Sequence, residues 1–397
     1  MLSYPDINIY IVTYKNTEVN EFSIRKITEK SAEISIPVPV YPVTQNNCFE
    51  KRYAASVVRL LAAVIPKEGK VIFQFNYIDD LPIILKLKKY YELPVISIVH
   101  FAHWQQIFEG NREKLNGLNI DEPSNNIEFT LSREREMYRH SDHIVSVTRY
   151  MKEFLVREYA IQPDRITVIH NGLDLNRYVP DSEEERANLK KELGFAEDEI
   201  IILFSGRIDP CKGIYFLIEA FEEACKRMPE LRLVLLGQGN IQDCQKRIKS
   251  LFGKVTFTGF LPKETVSLFY KIADLGIAPS VYDHCSYSVL EMMAGRIPLI
   301  LSRIQGLDEL LSDQECLFVN PVIGPEGEIT FNIQELSDAI VTLAGDKALR
   351  TKLAANSYRR FVSKFSSARM AKEMINLIQL LTRVKIEALE HEKSEGR

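Results

Sequence analysis

Six cysteines (Cys48, Cys211, Cys225, Cys244, Cys285 and Cys316) occur in 397 residues, and no two form a Cys-x-x-Cys pair. Scattered thiols without a repeating frame suit neither a disulfide scaffold nor a zinc site, so reduced cysteines and no structural metal are expected. Long apolar runs are also missing. Nothing approaches the 18 or so residues of a membrane span, and "MLSYPDINIY" lacks the basic-then-apolar order of a signal peptide, so a cytoplasmic chain is expected. Nor does one sign of charge dominate: 50 basic and 54 acidic residues are mixed along the chain, for a net charge of -4. That balance excludes nucleic acid as the main ligand. The short basic cluster "KLKKYY" at 86–91 allows no more than a weak peripheral contact with the inner membrane face. No Asp-x-Asp stands near an expected strand end, so that spacing offers no carboxylate pair for a metal.

What is present is enough apolar material, 46% of residues, for two or three ordinary domains. Apolar, β-branched runs recur: "INIYIVTY", "AEISIPVPV", "KVIFQFN", "PVISIVH", "HIVSVT" and "RITVIHN" in the first half, then "EIIILFSG", "LRLVLLGQG", "VTFTGF", "LGIAPSV", "RIPLILS" and "CLFVNP" in the second. Helical patterns separate them, in the first half at 51–65, 79–91, 128–141 and 149–159. Near-continuous apolar strands alternating with helices predict parallel sheets covered on both faces. The fold class expected is therefore α/β, with two doubly wound, Rossmann-like domains facing across a cleft. The expected division is 1–172, a linker over 173–198, 199–365, and a final helix over 366–397 that packs back towards the N-terminal domain and ends in a polar tail. The linker is marked by "NGLDLNRYVPDSEEERANLKKELGF", where an Asn-Gly turn, a proline and a charge run break the rhythm.

Open α/β sheets bind ligands outside the carboxyl ends of their strands. In the second half, "LFSGRIDPCKGIYFLIEAF" runs from a strand through Gly206 into a helix expected to begin near Lys212. Arg207 and Lys212 stand before or at that helix start, where the macrodipole disfavours cations unless an anion lies close. Their placement asks for a phosphate, against the plainer alternative of two tolerated surface charges. Next, "LVLLGQGN" puts Gly237 and Gly239 after a strand; a turn explains a lone Gly-x-Gly equally well, and Gln242 stands in place of the third glycine of the dinucleotide fingerprint.

The stretch "SVYDHCSYSVLEMMAGRIPLI", 280–300, holds Asp283 and Glu291 with seven residues between them. Ser286 or Ser288 can cap the helix that carries Glu291, and the first amides of that helix suit a diphosphate. Asp283 and Glu291 would then accept hydrogen bonds from sugar and ribose hydroxyls on either side. The competing reading is structural: "SVLE" spells a capping box of Ser288 and Glu291. In "VHFAHW", His103 reads as a structural histidine and Trp104 as either a stacking platform or core. His170 and Gly172 in "VIHNGLD" read as a turn and hinge at the domain junction.

The order Gly206, Arg207, Lys212, Gly213, then "LLGQG", then "VTFTGF", then an acid, seven residues and Glu291 within "LEMMAGRIPLI" resembles family 4 of the retaining glycosyltransferases, which have the GT-B fold. "HIVSVTRYMKEFLV" and "RITVIHNGLDLNRY" resemble that family's segments leading into its linker, and the helix after "KFSSARMAKEM" resembles its closing segment. The resemblance implies retaining hexosyl transfer from a UDP- or GDP-sugar to a glycan, lipid-linked or small-molecule hydroxyl acceptor, in polysaccharide or glycoconjugate synthesis, without cofactor or metal. It implies that Arg207 and Lys212 neutralise the donor diphosphate, that Glu291 holds the ribose, and that Asp283 takes the sugar-contacting place usually held by glutamate. His100, at the end of "PVISIVH", matches the histidine that reaches the donor sugar from the first domain. The catalytic set implied is thus His100, Asp283, Arg207 and Lys212. Around it the donor site would comprise Gly206, Gly237, Gly259, Phe260, Ser286, Tyr287, Ser288 and Glu291. Three departures stand out: Asp283 is a methylene shorter than glutamate, Ser286 replaces a common glycine, and "INIYIVTYKNTEVNEF" lacks the usual glycine pair. Two other readings stay open, a different GT-B enzyme such as a sugar-nucleotide epimerase and a catalytically silent GT-B partner protein.

Overall fold

The computed structural model describes residues 7–38, 47–66, 71–76, 81–91, 94–108, 127–174, 178, 182–325 and 327–395. The chain forms two compact units, Met1–Ile98 with Arg133–Ile144 and Ile375–Arg397, and Val99–Ser132 with Val145–Met374. Of the described residues expected with the N-terminal domain, 99–108, 127–132 and 145–172 group with the second unit.

In the first unit, β1 (Ile9–Asn16), β2 (Ser23–Thr28) and β3 (Ser31–Pro37) form a sheet of order β1-β3-β2, with β1 parallel and β2 antiparallel to β3. All six residues of β2 are exposed, so no buried apolar face marks "SIRKIT" as a strand and the apolar pattern does not predict it. On β3, Ile34 and Ile36 point into a core shared with Val57 and Leu61 of the Asn47–Val64 helix and with Ile84 and Leu87 of the Leu81–Tyr91 helix. The spacing of those helical pairs, four and three residues, keeps each on one face. Beside them β4 (Phe73–Phe75) pairs in parallel with β5 (Val95–Val99). Lys88, from the basic cluster, donates to His140 O at 2.9 Å and to Asp142 Oδ2 at 2.8 Å, so part of that cluster's charge is tied up within the unit.

After β6 (His143–Ser146) and β7 (Ile166–Val168), the second unit builds its main sheet from β8 (Ile200–Ser205), β9 (Leu231–Leu236), β10 (Val255–Gly259), β11 (Leu275–Ala278), β12 (Leu299–Ser302) and β13 (Leu317–Val319). All six are parallel, in the order β10-β9-β8-β11-β12-β13. Counted from β8 this is 3-2-1-4-5-6, and the order reverses between β8 and β11, so the loops after those two strands flank the switch point where such sheets bind ligands. Every residue of β11 and β12 is buried, as strands covered on both faces require. The Ile214–Arg227 helix covers the sheet with Ile214, Leu217, Ile218, Phe221 and Ala224, all buried at helical spacing. Each large side chain so buried stabilises the fold by about 1.5–3 kcal/mol. A short hairpin, β14 (Pro321–Ile323) with β15 (Ile329–Phe331), follows the sheet.

Of the expected linker, 175–177 and 179–181 lie outside the described residues. Its charged run forms the Glu183–Glu192 helix, where Ser182 Oγ accepts from Glu185 N at 3.1 Å. Among the described residues no helix is long and apolar enough to cross a membrane.

Candidate functional site

The loop after β8 is shaped by its glycines. Gly237 has φ 145°, and a Cβ added to it would fall 2.0 Å from Gly206 O. Backbone packing alone therefore demands glycine there, which accounts for Gly237 before any ligand is considered. Gly237 also bridges Gly259, so Gly206, Gly237 and Gly259 meet at adjacent strand ends, with Phe260 beyond them 77% exposed.

Asp209 opens the Pro210–Lys212 turn, and its Oδ1 accepts from Lys212 N at 3.2 Å. Its other oxygen lies 3.4 Å from Arg207 Nε. Arg207 is largely exposed, where such a pair is worth about 0–1 kcal/mol and is readily exchanged for a stronger anion. Gly213 then takes φ 67° and starts the long helix; a Cβ there would fall 1.8 Å from Pro279 O. That close approach locks the Lys212 loop against the end of β11.

Lys212 reaches across the switch point, with Nζ 2.6 Å from Asp283 Oδ2. Asp283 also accepts from the His284 amide at 2.9 Å and the Ser280 hydroxyl at 3.4 Å, which leaves about one of its four acceptor directions open. Three residues after Asp283, Ser286 stands at the cap of the Tyr287–Ala294 helix, and no side chain caps that end. Ser286 and Ser288 bond each other, Oγ to Oγ, at 3.1 Å. The capping box of the competing reading does not form: Ser288 lies inside the first turn, and Glu291 turns elsewhere.

The Glu291 carboxylate accepts from Tyr270 Oη at 2.6 Å and from Tyr178 Oη at 3.1 Å. Tyr270 Oη lies a further 2.8 Å from Ser205 Oγ, the residue before Gly206. Burial pushes the Glu291 carboxyl above its ordinary value, and the two phenols and Lys263 oppose the rise. Burial, with Glu291 adding to it, holds the Tyr270 phenol well above 10. Tyr270 carried no signal in the sequence, since an aromatic near the end of an amphipathic helix reads as core, and Tyr178 lies in the expected linker.

A second polar cluster backs Asp283. His284 is buried, with Nε2 2.6 Å from Tyr282 Oη, its ring stacked on Tyr150, and Nδ1 without a hydrogen-bond partner. Tyr282 also bonds Gln105 Oε1 at 3.1 Å, and Gln105 donates to Tyr150 Oη at 3.1 Å. Burial holds the His284 imidazole down at about 4; Asp283 and Glu309 oppose this and Lys212 adds to it. Gln105 lies five residues after His100, whose half-buried imidazole is also pushed below its ordinary 6.5 by burial. Among the described residues, no hydrogen bond links His100 itself to the Asp283 loop. Trp104 is in the core against Phe154, and His103 lies against Phe101. His170 Nε2 sits 2.7 Å from Glu309 Oε1, and the same carboxylate accepts the Arg149 amide at the start of the Arg149–Tyr159 helix. His170 thus works as a structural tie.

The family profile "Glycosyltransferase Family 4" matches residues 9–177, and "Glycosyl transferases group 1" matches 185–360. The chain belongs to glycosyltransferase family 4. An uncharacterized glycosyltransferase of Methanocaldococcus jannaschii is 29% identical over 249 residues, 60% of this chain and 60% of that one. The chain spans about three fifths of the length of the curated relatives it matches. Among solved structures, sucrose-phosphate synthase from Thermosynechococcus elongatus is similar over 94% of this chain and 89% of its own, with TM-score 0.71 and 21% identity. Anabaena Alr3699/HepE in complex with UDP-glucose is similar over 86% of each chain, with TM-score 0.68 and 17% identity. The fold of this glycosyltransferase family member is GT-B.

Proposed function

We propose that this chain transfers a hexose, with retention, from a UDP- or GDP-sugar to a hydroxyl acceptor of a glycan, a lipid-linked or a small molecule. The observation that carries the reading is the Lys212–Asp283 pair at 2.6 Å, three residues short of a helix whose first amides meet no side-chain cap and beside the Arg207 loop. A diphosphate set against those amides would draw Lys212 and Arg207 to itself. As the anomeric bond breaks, negative charge grows on the leaving diphosphate, so these groups stabilise the transition state more than the ground state. Asp283 accepts from the sugar hydroxyls and Glu291 from the ribose. His100, neutral at pH 7 because burial lowers its pKa, offers one ring N–H and one lone pair to the donor sugar. The incoming hydroxyl attacks the face the diphosphate leaves, and a phosphate oxygen takes its proton. No metal is required in this scheme because two cations and the helix amides balance the leaving charge. The UDP-glucose held by the Anabaena protein is a donor of the proposed class. The reaction belongs to polysaccharide or glycoconjugate synthesis in the cytoplasm, with weak contact between Lys86, Lys89 and the membrane face serving a lipid-linked acceptor.

A panel of nucleoside diphosphates and their sugars tests the donor site. Saturation at a hundred times Kd should add about 2.7 kcal/mol to stability, read as a rise in Tm. No shift with any member of the panel would remove the donor site.

A further inference from the structure

Resting on that donor-site reading, we propose that Tyr270 is a positioning residue for nucleotide recognition: its phenol holds Glu291 Oε2 while Tyr178 holds Oε1, which aims the carboxylate's remaining lone pairs at the donor ribose. A carboxylate offers about four acceptor directions. Two phenols, at 2.6 and 3.1 Å, occupy one on each oxygen and leave one on each for the vicinal ribose hydroxyls. Tyr270 is fully buried, its ring is 5.1 Å from that of Tyr178, and its one proton goes to the carboxylate, which can only accept. Its oxygen then takes the Ser205 hydroxyl at 2.8 Å. Ser205 ends β8 immediately before Gly206 and Arg207. Tyr270 thereby joins the loop proposed to hold the diphosphate to the acid proposed to hold the ribose, and sets both from one buried atom. Its energetic role is pre-organisation: the carboxylate does not have to be fixed anew when nucleotide arrives.

The test compares UDP with 2′,3′-dideoxyuridine diphosphate by calorimetry on the full chain, with GDP and its dideoxy form in parallel. Wild type should prefer the ribose form by roughly tenfold or more. Tyr270→Phe should weaken binding of the ribose form severalfold while leaving the dideoxy form as in wild type, so the preference shrinks. Tyr178→Phe, less central to the core, should act in the same direction by a smaller factor and serves if Tyr270→Phe does not fold. Equal weakening of both ligands, or no weakening, in the folded variants overturns the proposal, since packing alone cannot tell them apart. If wild type itself does not discriminate, or Glu291→Ala binds both forms as wild type does, the ribose role of Glu291 fails first and the proposal falls with it.

Discussion

Lys212 Nζ and Asp283 Oδ2 lie 2.6 Å apart, joining the loops after β8 and β11 at the switch point of the sheet. The two charges neutralise one another, so a diphosphate must compete with Asp283 for Lys212. Asp283→Asn should then bind nucleoside diphosphate as tightly as wild type or more so, while transfer falls at least about a hundredfold because the sugar loses its acceptor. Lys212→Met should lose both, and stranding Asp283 should cost roughly 1–3 kcal/mol of stability. Calorimetry and turnover on the two variants separate these effects. Weaker nucleotide binding in Asp283→Asn would place Asp283 on the nucleotide rather than on the sugar.

His284 gives a pH dependence whose sign is set by burial. Its imidazole, near 4 in the fold against 6.5 when unfolded, binds a proton less readily in the native state. Its contribution is therefore complete above 6.5 and is lost as pH falls from there to about 4, up to about 3 kcal/mol. Glu309 also destabilises on acidification. Burial alone would raise its carboxyl, but the His170, Arg149 and Tyr150 bonds more than offset this and hold it below 4.5, so its loss comes at lower pH. Urea midpoints at pH 7 and pH 5 should differ clearly in wild type and much less in His284→Gln. An unchanged slope in the variant would assign it to other groups.

Gly213→Ala tests whether the Lys212 loop is held by backbone contact. The new Cβ would have to sit 1.8 Å from Pro279 O at φ 67°, so Pro279 or the loop must move. We expect more than about 2 kcal/mol of lost stability and loss of nucleotide affinity together. A variant as stable as wild type would mean that the loop tolerates displacement.

The second unit was legible because its strands are apolar on both faces; the candidate residues Gly206, Arg207, Lys212 and Asp283 lie in the loops after β8 and β11. The antiparallel β2 was not, since a strand exposed along its whole length leaves no pattern in composition. Glu291 lies on the helix expected of it, and the competing capping-box reading failed. A four-residue motif does not say where a helix begins, and the cap is Ser286 rather than Ser288. Tyr270 and Gln105 were invisible because their partners are distant in sequence: a buried polar network exists only once the chain has folded.

The chemistry of the leaving group gives the last prediction. Transfer should survive EDTA, because Arg207, Lys212 and the first amides of the Tyr287–Ala294 helix are the charges proposed to meet the diphosphate. Arg207 is mostly exposed, and its 3.4 Å pair with Asp209 is worth about 0–1 kcal/mol, so exchanging that pair for a phosphate costs little and returns more as charge develops. Arg207→Ala should therefore lower kcat by roughly 10²–10³, the range for removing one pre-organised donor, with nucleotide Kd rising by a smaller factor. Turnover should be the same with EDTA and with added magnesium in wild type. Complete loss in EDTA, restored by magnesium or manganese, would show that a metal carries the leaving charge and would reduce Arg207 and Lys212 to ground-state binding.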